Sequence, residues 1–481
     1  MIHQKGEGGF FMRKVAIIGA GSIVFCKTLI LDIMATKELE DTQFALMAPT
    51  TGKISQVEAF VNKVIRHNGL KAEVYSATDR RDALKGADYV IATFQVGGVS
   101  AFELDYKIPL KYGVDQCIGD TLGPGGVFRA LRSIPEVLGL AKDMEELCPK
   151  ALLLNYVNPM AMVCWALGET KVKFAGLCHG VQTTLDLISG YVGVPKGKID
   201  YSCAGINHMG WFLKMETEGR DLYPILRERF EQPEYYVNEK VRGEVFRHFG
   251  YFMTESTGHL SEYVPWFRKN KKAMDLYCDE PSFGGETGAY YSWCSHVAEK
   301  YKDSSILAGE PLELPARSME YGSYIIEAVE TGKIFKFNGN VRNEGMIANL
   351  PADCCAEGPL FADKTGLHKT VVGDLPPQCA ALNLTNINVQ RLAVLAAKTG
   401  DPEAVVQACA LDPLTGAVLT LKEIRDMVGD MLEAEKQWLP QFEGKQARKT
   451  PALVIPENVN RASVPVDPAL AIFARFGELV K

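Results

Sequence analysis

The run Val15-Ala16-Ile17-Ile18, broken at once by Gly19-Ala20-Gly21-Ser22, constrains the fold more than any other feature of the chain. Four consecutive apolar residues, three of them β-branched, suit a strand buried on both faces, and such strands belong to parallel sheets sandwiched by helices. The glycines open a helical stretch that runs to about residue 35. The alternation then repeats. Residues 44–47 read as a strand and 54–67 as an amphipathic helix; helical DRRDALKG leads into a strand over 87–94. A helix over 135–147 lies ahead of strands at 151–157 and 174–177. Strands alternating with helices predict an α/β chain with an N-terminal Rossmann-like parallel sheet, and ligands at the carboxyl ends of its strands.

A Gly-x-Gly after the first strand lets the backbone approach a pyrophosphate at a helix N-terminus, where free N–H groups and the helix dipole favour anions. The third place of the usual fingerprint holds Val24 rather than glycine, so the motif is GxGS. An ordinary strand-to-helix turn that needs a positive φ is the competing reading. Gly19, Gly21 and Ser22 are the first candidate cofactor contacts. Gln95 and Gly97, at the end of the 87–94 strand, are the next, because Gly97 and Gly98 allow close backbone approach. An acidic residue normally ends the second strand and binds the ribose hydroxyls. Here that end reads Met47-Ala48-Pro49-Thr50-Thr51-Gly52-Lys53, without a carboxylate. NADP therefore stays open beside NAD.

The later strand ends carry unusual polar groups. Asp120-Thr121-Leu122-Gly123-Pro124-Gly125-Gly126 is a glycine loop opening a helix with Arg129 and Arg132. Asn155-Tyr156-Val157-Asn158-Pro159, Cys178-His179-Gly180 and Asn207-His208-Met209 follow. In an open parallel sheet these ends converge on one crevice, where a thiolate and an imidazole bind a divalent metal with positions left for substrate. Cys178 also reads as a buried structural thiol, and His179 as a packed or helix-capping histidine. No spacing in the sequence joins Cys178 to His208. A Cys/His pair on its own favours zinc, because thiolates are soft ligands.

Composition excludes other classes. Lys+Arg 52 against Asp+Glu 59 gives a net charge of −7, which argues against nucleic-acid or anionic-membrane partners. Hydrophobic residues at 47% are too many for a disordered chain, and no apolar run approaches the roughly 20 residues that span a bilayer. MIHQKGEGGFF lacks the parts of a signal peptide, so a cytoplasmic protein is expected. Twelve cysteines without a Cys-x-x-Cys pair are too sparse for a disulfide scaffold.

Taken together, GAGS at 19–22, DTLGPGG at 120–126, LNYVNPMAM at 154–162, CHGVQ at 178–182 and CAGINHM at 203–209 resemble glycoside hydrolase family 4. YFMTES at 251–256, EYVPWF at 262–267, NGNVRNEGMIANLP at 338–351 and TNINVQ at 385–390 extend the likeness, which spans about residues 13–439 and is nearest the α-galactosidase (melibiase) branch. The resemblance implies an NAD- and Mn²⁺-dependent hydrolase of small α-glycosides, and a homo-oligomer. It implies Mn²⁺ held by Cys178 and His208, against the zinc preference. It also implies that Asn158 contacts the sugar near the reacting hydroxyl, with His179 and Arg129 as further substrate contacts. Tyr263 is the nearest match to the tyrosine that serves some members as catalytic base; Asp120 is the candidate acid. Three features depart from the family: Ala48, the extension 1–11, and Gly180 where the galactosidase branch carries serine; CHG occurs in the glucosidase and uronidase branches, so an α-glucosidase or an α-glucuronidase or galacturonidase of the same family is the alternative. The expected division is 12–195 for the dinucleotide-binding domain and 196–481 for a mixed α+β substrate and oligomerisation domain. A malate-type dehydrogenase, or a binding protein on the same scaffold, would share the sheet without hydrolysing a glycoside.

Overall fold

The computed structural model describes residues 12–303, 306–451, 453–465 and 467–477; the extension at 1–11 lies outside them. Six strands form the expected parallel sheet: β1 Lys14–Ile18, β2 Gln43–Met47, β3 Glu73–Ala77, β4 Tyr89–Ala92, β5 Leu152–Asn155 and β6 Lys173–Gly176. Their spatial order is β3-β2-β1-β4-β5-β6, which turns back between β1 and β4. That is the doubly wound order in which a crevice opens at the reversal. β1, β4 and β5 are buried along their whole length, as their apolar runs require. Sequence reading passed over β3. It is the edge strand, half-exposed along EVYSA, and so lacks an apolar run.

Seven helices cover this sheet: α1 Ile23–Met34, α2 Thr51–Asn68, α3 Arg80–Leu84, α4 Gly98–Tyr112, α5 Gly123–Leu147, α6 Met160–Leu167 and α7 Gly180–Val192. The helix expected from residue 135 begins twelve residues earlier, at Gly123, with Pro135 inside it. A proline in a helix interior deprives the carbonyl four residues back of its donor. That carbonyl belongs to Leu131, and Gln441 Nε2 donates to it at 2.8 Å, replacing the lost bond.

The second half continues the sheet. β7 Asp200–Ile206, β8 Met209–Thr217, β9 Arg220–Asp221, β10 Phe335–Arg342, β11 Cys355–Asp363 and β12 Gly366–Lys369 add antiparallel pairs. β10 joins β6 through Asn340 opposite Gly176, and β11 joins β7 through Glu357 opposite Gly205. Asn340 and Glu357 also pair, so Gly176, Asn340, Glu357 and Gly205 form one row across four strands. Helices Tyr321–Thr331, Pro377–Thr399 and Leu421–Ala434 also belong to this half. Residues up to Ala447 make one compact unit. In the second unit, Arg448–Lys481, the helix Pro468–Phe476 starts at Asp467, which accepts from the Ala469 N–H. Among the described residues no helix is long and apolar enough to cross a membrane.

One ion cluster braces the floor beneath the glycine loop. Arg132 in α5 donates to both oxygens of Asp105 in α4, at 2.8 and 2.5 Å, and to Glu435, just past Leu421–Ala434. All three side chains are fully buried. Such a triad adds little net stability against apolar substitutes but penalises any wrong arrangement, since a lone buried charge costs several kcal/mol.

Candidate active site

The crevice between β1 and β4 is shaped by glycines. Gly19 has φ +97°, and a Cβ there would lie 2.7 Å from the Phe94 nitrogen. Only glycine permits that crossing. The N–H groups of Gly19 and Ala20 both donate to Met47 O at 2.9 Å, folding the turn over the end of β2. A Cβ on Gly21 would meet only the Ala48 methyl, at 3.8 Å, so Ala48 faces the glycine turn. Ser22 caps α1 and is exposed, with no side-chain bond to the helix. Gly97, φ +77°, caps α4, while Gln95 Nε2 donates within its own loop to Gly98 O at 3.2 Å. A Cβ on Gly97 would lie 3.2 Å from Trp438, a residue that sequence reading did not connect with this loop.

A second group gathers where β6, the β7–β8 turn and the helix Thr257–Tyr263 meet. Asn207 and His208 form the two-residue turn between paired Ile206 and Met209, and His208 takes φ +64°. Histidine is among the few side chains that tolerate this left-handed conformation. His208 Nε2 lies 3.5 Å from Cys178 Sγ and 3.6 Å from Glu255 Oε2; its Nδ1 lies 3.1 Å from the Tyr263 hydroxyl. Glu255 also sits at positive φ, +94°, and its Oε1 is 3.4 Å from His259 Nδ1. His208, Glu255 and His259 offer donor atoms within 4.8 Å of one another. Strained backbone of this sort costs about 1–3 kcal/mol per residue and concentrates at functional sites.

Asp120 anchors a third group. Its carboxylate accepts from Thr121 Oγ1 at 3.0 Å, Asn158 Nδ2 at 3.2 Å and Arg129 at 3.2 Å. Thr121 Oγ1 is also 2.8 Å from His259 Nε2, which links this group to the second. Cys178, His208, Tyr263, Asp120, Asn158 and Arg129 thus converge. His179 stands apart from Asp120: it is half-exposed and 3.4 Å from Glu320, whose hydrogen bond raises its pKa.

Charge in the site is divided by burial and neighbours. Burial lowers His208 to about 4 despite Glu255, so its ring is neutral near pH 7. Burial also works against His259, but Glu255 prevails and raises it to about 9. Glu255 is pushed up by burial and pulled further down by the two histidines, ending well below the usual carboxylate range. Burial pushes the Cys178 thiol up, with Glu357 and Glu255 adding to the effect. Glu357 itself is raised to about 8, by burial and then by Glu255.

Sequence reading missed Glu255, His259, Thr121 and Glu357. The Glu-x-x-x-His spacing of 255 and 259, which places one donor just before the helix Thr257–Tyr263 and one inside it, was the available signal. A lone carboxylate inside the apolar run of β11 was a weaker one.

Two family models match most of the chain: "Family 4 glycosyl hydrolase" over residues 14–194 and "Family 4 glycosyl hydrolase C-terminal domain" over 203–415. An alpha-galactosidase of Rhizobium meliloti (strain 1021) is 43% identical over 438 residues, 89% of this chain and 89% of that protein. An alpha-galactosidase of Bacillus subtilis (strain 168) is 40% identical over 442 residues, 90% of this chain and 100% of that protein. The 6-phospho-beta glucosidase of Thermotoga maritima, solved with manganese, NAD+ and glucose-6-phosphate, shares the fold: TM-score 0.72 at 22% identity, covering 88% of this chain and 99% of that one.

Proposed function

The chain belongs to family 4 of the glycosyl hydrolases, and from that premise we propose that it cleaves α-galactosides such as melibiose or raffinose, using NAD and Mn²⁺. The observation that carries the galactoside reading is the identity of 43% and 40% with two alpha-galactosidases along about nine-tenths of the chain.

The residues present fit both groups. A neutral His208 has a ring lone pair to give, Cys178 lies 3.5 Å from it, and Glu255 adds a hard oxygen that suits Mn²⁺ better than thiolate alone. The close crossing at Gly19 and the exposed N-terminus of α1 suit a dinucleotide pyrophosphate. When bound, the nicotinamide and the cation together supply a reversible oxidation at C3 of the sugar, which makes the C2 proton acidic. Tyr263 takes that proton as its phenolate, a form that burial works against by raising the hydroxyl's pKa, and the glycosidic oxygen leaves C1. Asp120, in its protonated form, gives its proton to the departing oxygen, and Arg129 and Asn158 position the carboxyl group. Water adds at C1 as the C2 proton returns, and the C3 hydroxyl is restored. Family 4 is an exception to the usual two-carboxylate displacement at C1.

A panel of nitrophenyl glycosides with catalytic NAD and Mn²⁺ tests the substrate. The α-galactoside is expected to be cleaved fastest, without net reduction of cofactor. Cleavage confined to glucuronide or galacturonide would overturn the galactoside reading, and release of an oxidised sugar would mean a plain dehydrogenase.

Ala48 bears on cofactor choice. It faces the glycine turn at the place where an acid would bind the ribose and repel a 2′-phosphate. Separate titrations are expected to find NAD and NADP bound within about tenfold of each other, and Ala48→Asp to shift the ratio toward NAD by at least about tenfold. A strong NAD preference in the unmodified enzyme would show that other residues grip the ribose.

A further inference from the structure

The helix Ala289–Lys300 is docked on the strand of chain that leads to Asp120: the Gly288 N–H donates to Gln116 O at 2.8 Å and the Tyr290 N–H to Cys117 O at 3.2 Å. On its other flank, a Cβ added to Gly258 would lie 2.2 Å from the Phe283 carbonyl oxygen, so Phe283 touches the helix start one residue before His259. Between these anchors runs a row of rings. Phe283 and Tyr290 have centroids 6.2 Å apart, and Tyr290 stacks on Trp293 at 5.8 Å and 13°.

The row is half-buried at its middle, Tyr290, and exposed at its two ends. The Tyr290 ring centroid lies 5.6 Å from that of Phe102, over which the Arg129 guanidinium sits at 5.8 Å, and Arg129 in turn donates to Asp120 at 3.2 Å. The buried Nε of Arg129 has no hydrogen-bond partner among the described residues. At the two ends Trp293 is 50% exposed and Phe283 39%. Two large aromatics exposed on either side of Tyr290 make an apolar surface that a ligand can cover. Aromatic faces carry negative charge density and attract the weakly positive C–H face of a pyranose while removing it from water.

We propose that Phe283, Tyr290 and Trp293 form the subsite for the departing half of the substrate, a second pyranose ring that stacks on Trp293 as its linking oxygen meets Asp120. This rests on the glycosidase reading above; the class of ligand is a neutral sugar ring linked to the galactose, as in melibiose. The rings pack against the chain that leads to Asp120 and, through Phe102, against its partner Arg129; Asp120 protonates the leaving oxygen, so they lie on the leaving-group side of the bond.

The test compares a substrate that has the second ring with one that lacks it. For the full-length enzyme with NAD and Mn²⁺, kcat/KM is measured on melibiose and on methyl α-galactoside. In Trp293→Ala the ratio of the two is expected to fall about tenfold, chiefly through KM for melibiose, and in Phe283→Ala by a smaller factor. An unchanged ratio overturns the proposal, whether activity on both substrates is kept or lost together. Equal loss accompanied by dissociation in analytical ultracentrifugation would instead identify a contact between copies of the chain. Should the unmodified enzyme cleave glucosides or uronides, the galactoside reading fails, and the same comparison on the disaccharide and methyl glycoside of that sugar decides the subsite.

Discussion

Hydrolysis of melibiose in D₂O is expected to release galactose carrying deuterium at C2. A C2–H bond beside ordinary hydroxyls does not exchange with solvent, and it becomes acidic only when C3 is a ketone. Label at C2 therefore reports oxidation and elimination in one measurement. Displacement at C1 leaves C2 untouched, so NMR of the product separates the two routes completely. Tyr263→Phe removes the proposed base and is expected to slow turnover by about 10²–10⁴-fold, the usual range for a positioned proton-transfer group, with little change in KM. The hydroxyl lies 3.1 Å from His208 Nδ1, so the loss must be told apart from damage to the imidazole. Unchanged Mn²⁺ binding in Tyr263→Phe makes that distinction. Product without C2 label after complete turnover would contradict the redox route even if NAD proved essential.

Cys178→Ala and His208→Ala are each expected to lower kcat by about a thousandfold or more while the protein stays folded. A Lewis-acidic cation supplies several kcal/mol of stabilisation where charge develops, and about 4 kcal/mol corresponds to that factor. Neither side chain is a large element of the core: Cys178 is partly exposed, and His208 lies in a hairpin turn. Mn²⁺ titration followed by electron paramagnetic resonance should show weakened binding in both variants, with circular dichroism unchanged. Near-normal turnover in either variant with free metal chelated would refute the assignment. Glu255→Gln discriminates between donor sets, since it removes charge from the His208–Glu255–His259 cluster but leaves the Cys178–His208 pair intact.

The Rossmann half was readable because its inner strands are buried on both faces, and the buried runs of β1 and β4 leave no ambiguity of type. The edge strand β3 escaped because half-exposure erases that pattern. The site was readable only in pieces. Cys178 and His208 are 30 residues apart, yet β6 and β7, which lead into them, are separated in the sheet by β10 and β11, whose residues come more than a hundred positions later. Local periodicity carries no information about such an insertion. Family resemblance supplied the pairing that spacing did not. Glu255 and His259 were absent from the expected site even though their spacing of four is a local signal: Glu255 lay inside the YFMTES motif without a role, and His259 between that motif and EYVPWF.

The insertion of β10 between β6 and β7 also has a consequence for how the chain is made. Gly176 pairs with Asn340, 164 residues downstream, so β6 remains an open sheet edge until that much more chain has left the ribosome. At roughly 5–20 residues per second, that interval lasts about 8–33 s. During it the nascent N-terminal half presents unpaired N–H and C=O groups on a short strand whose first residue, Lys173, is its exposed charge. Synthesis of this protein thus contains a timed window of vulnerability to misassociation, closed only when the second half arrives to complete the sheet.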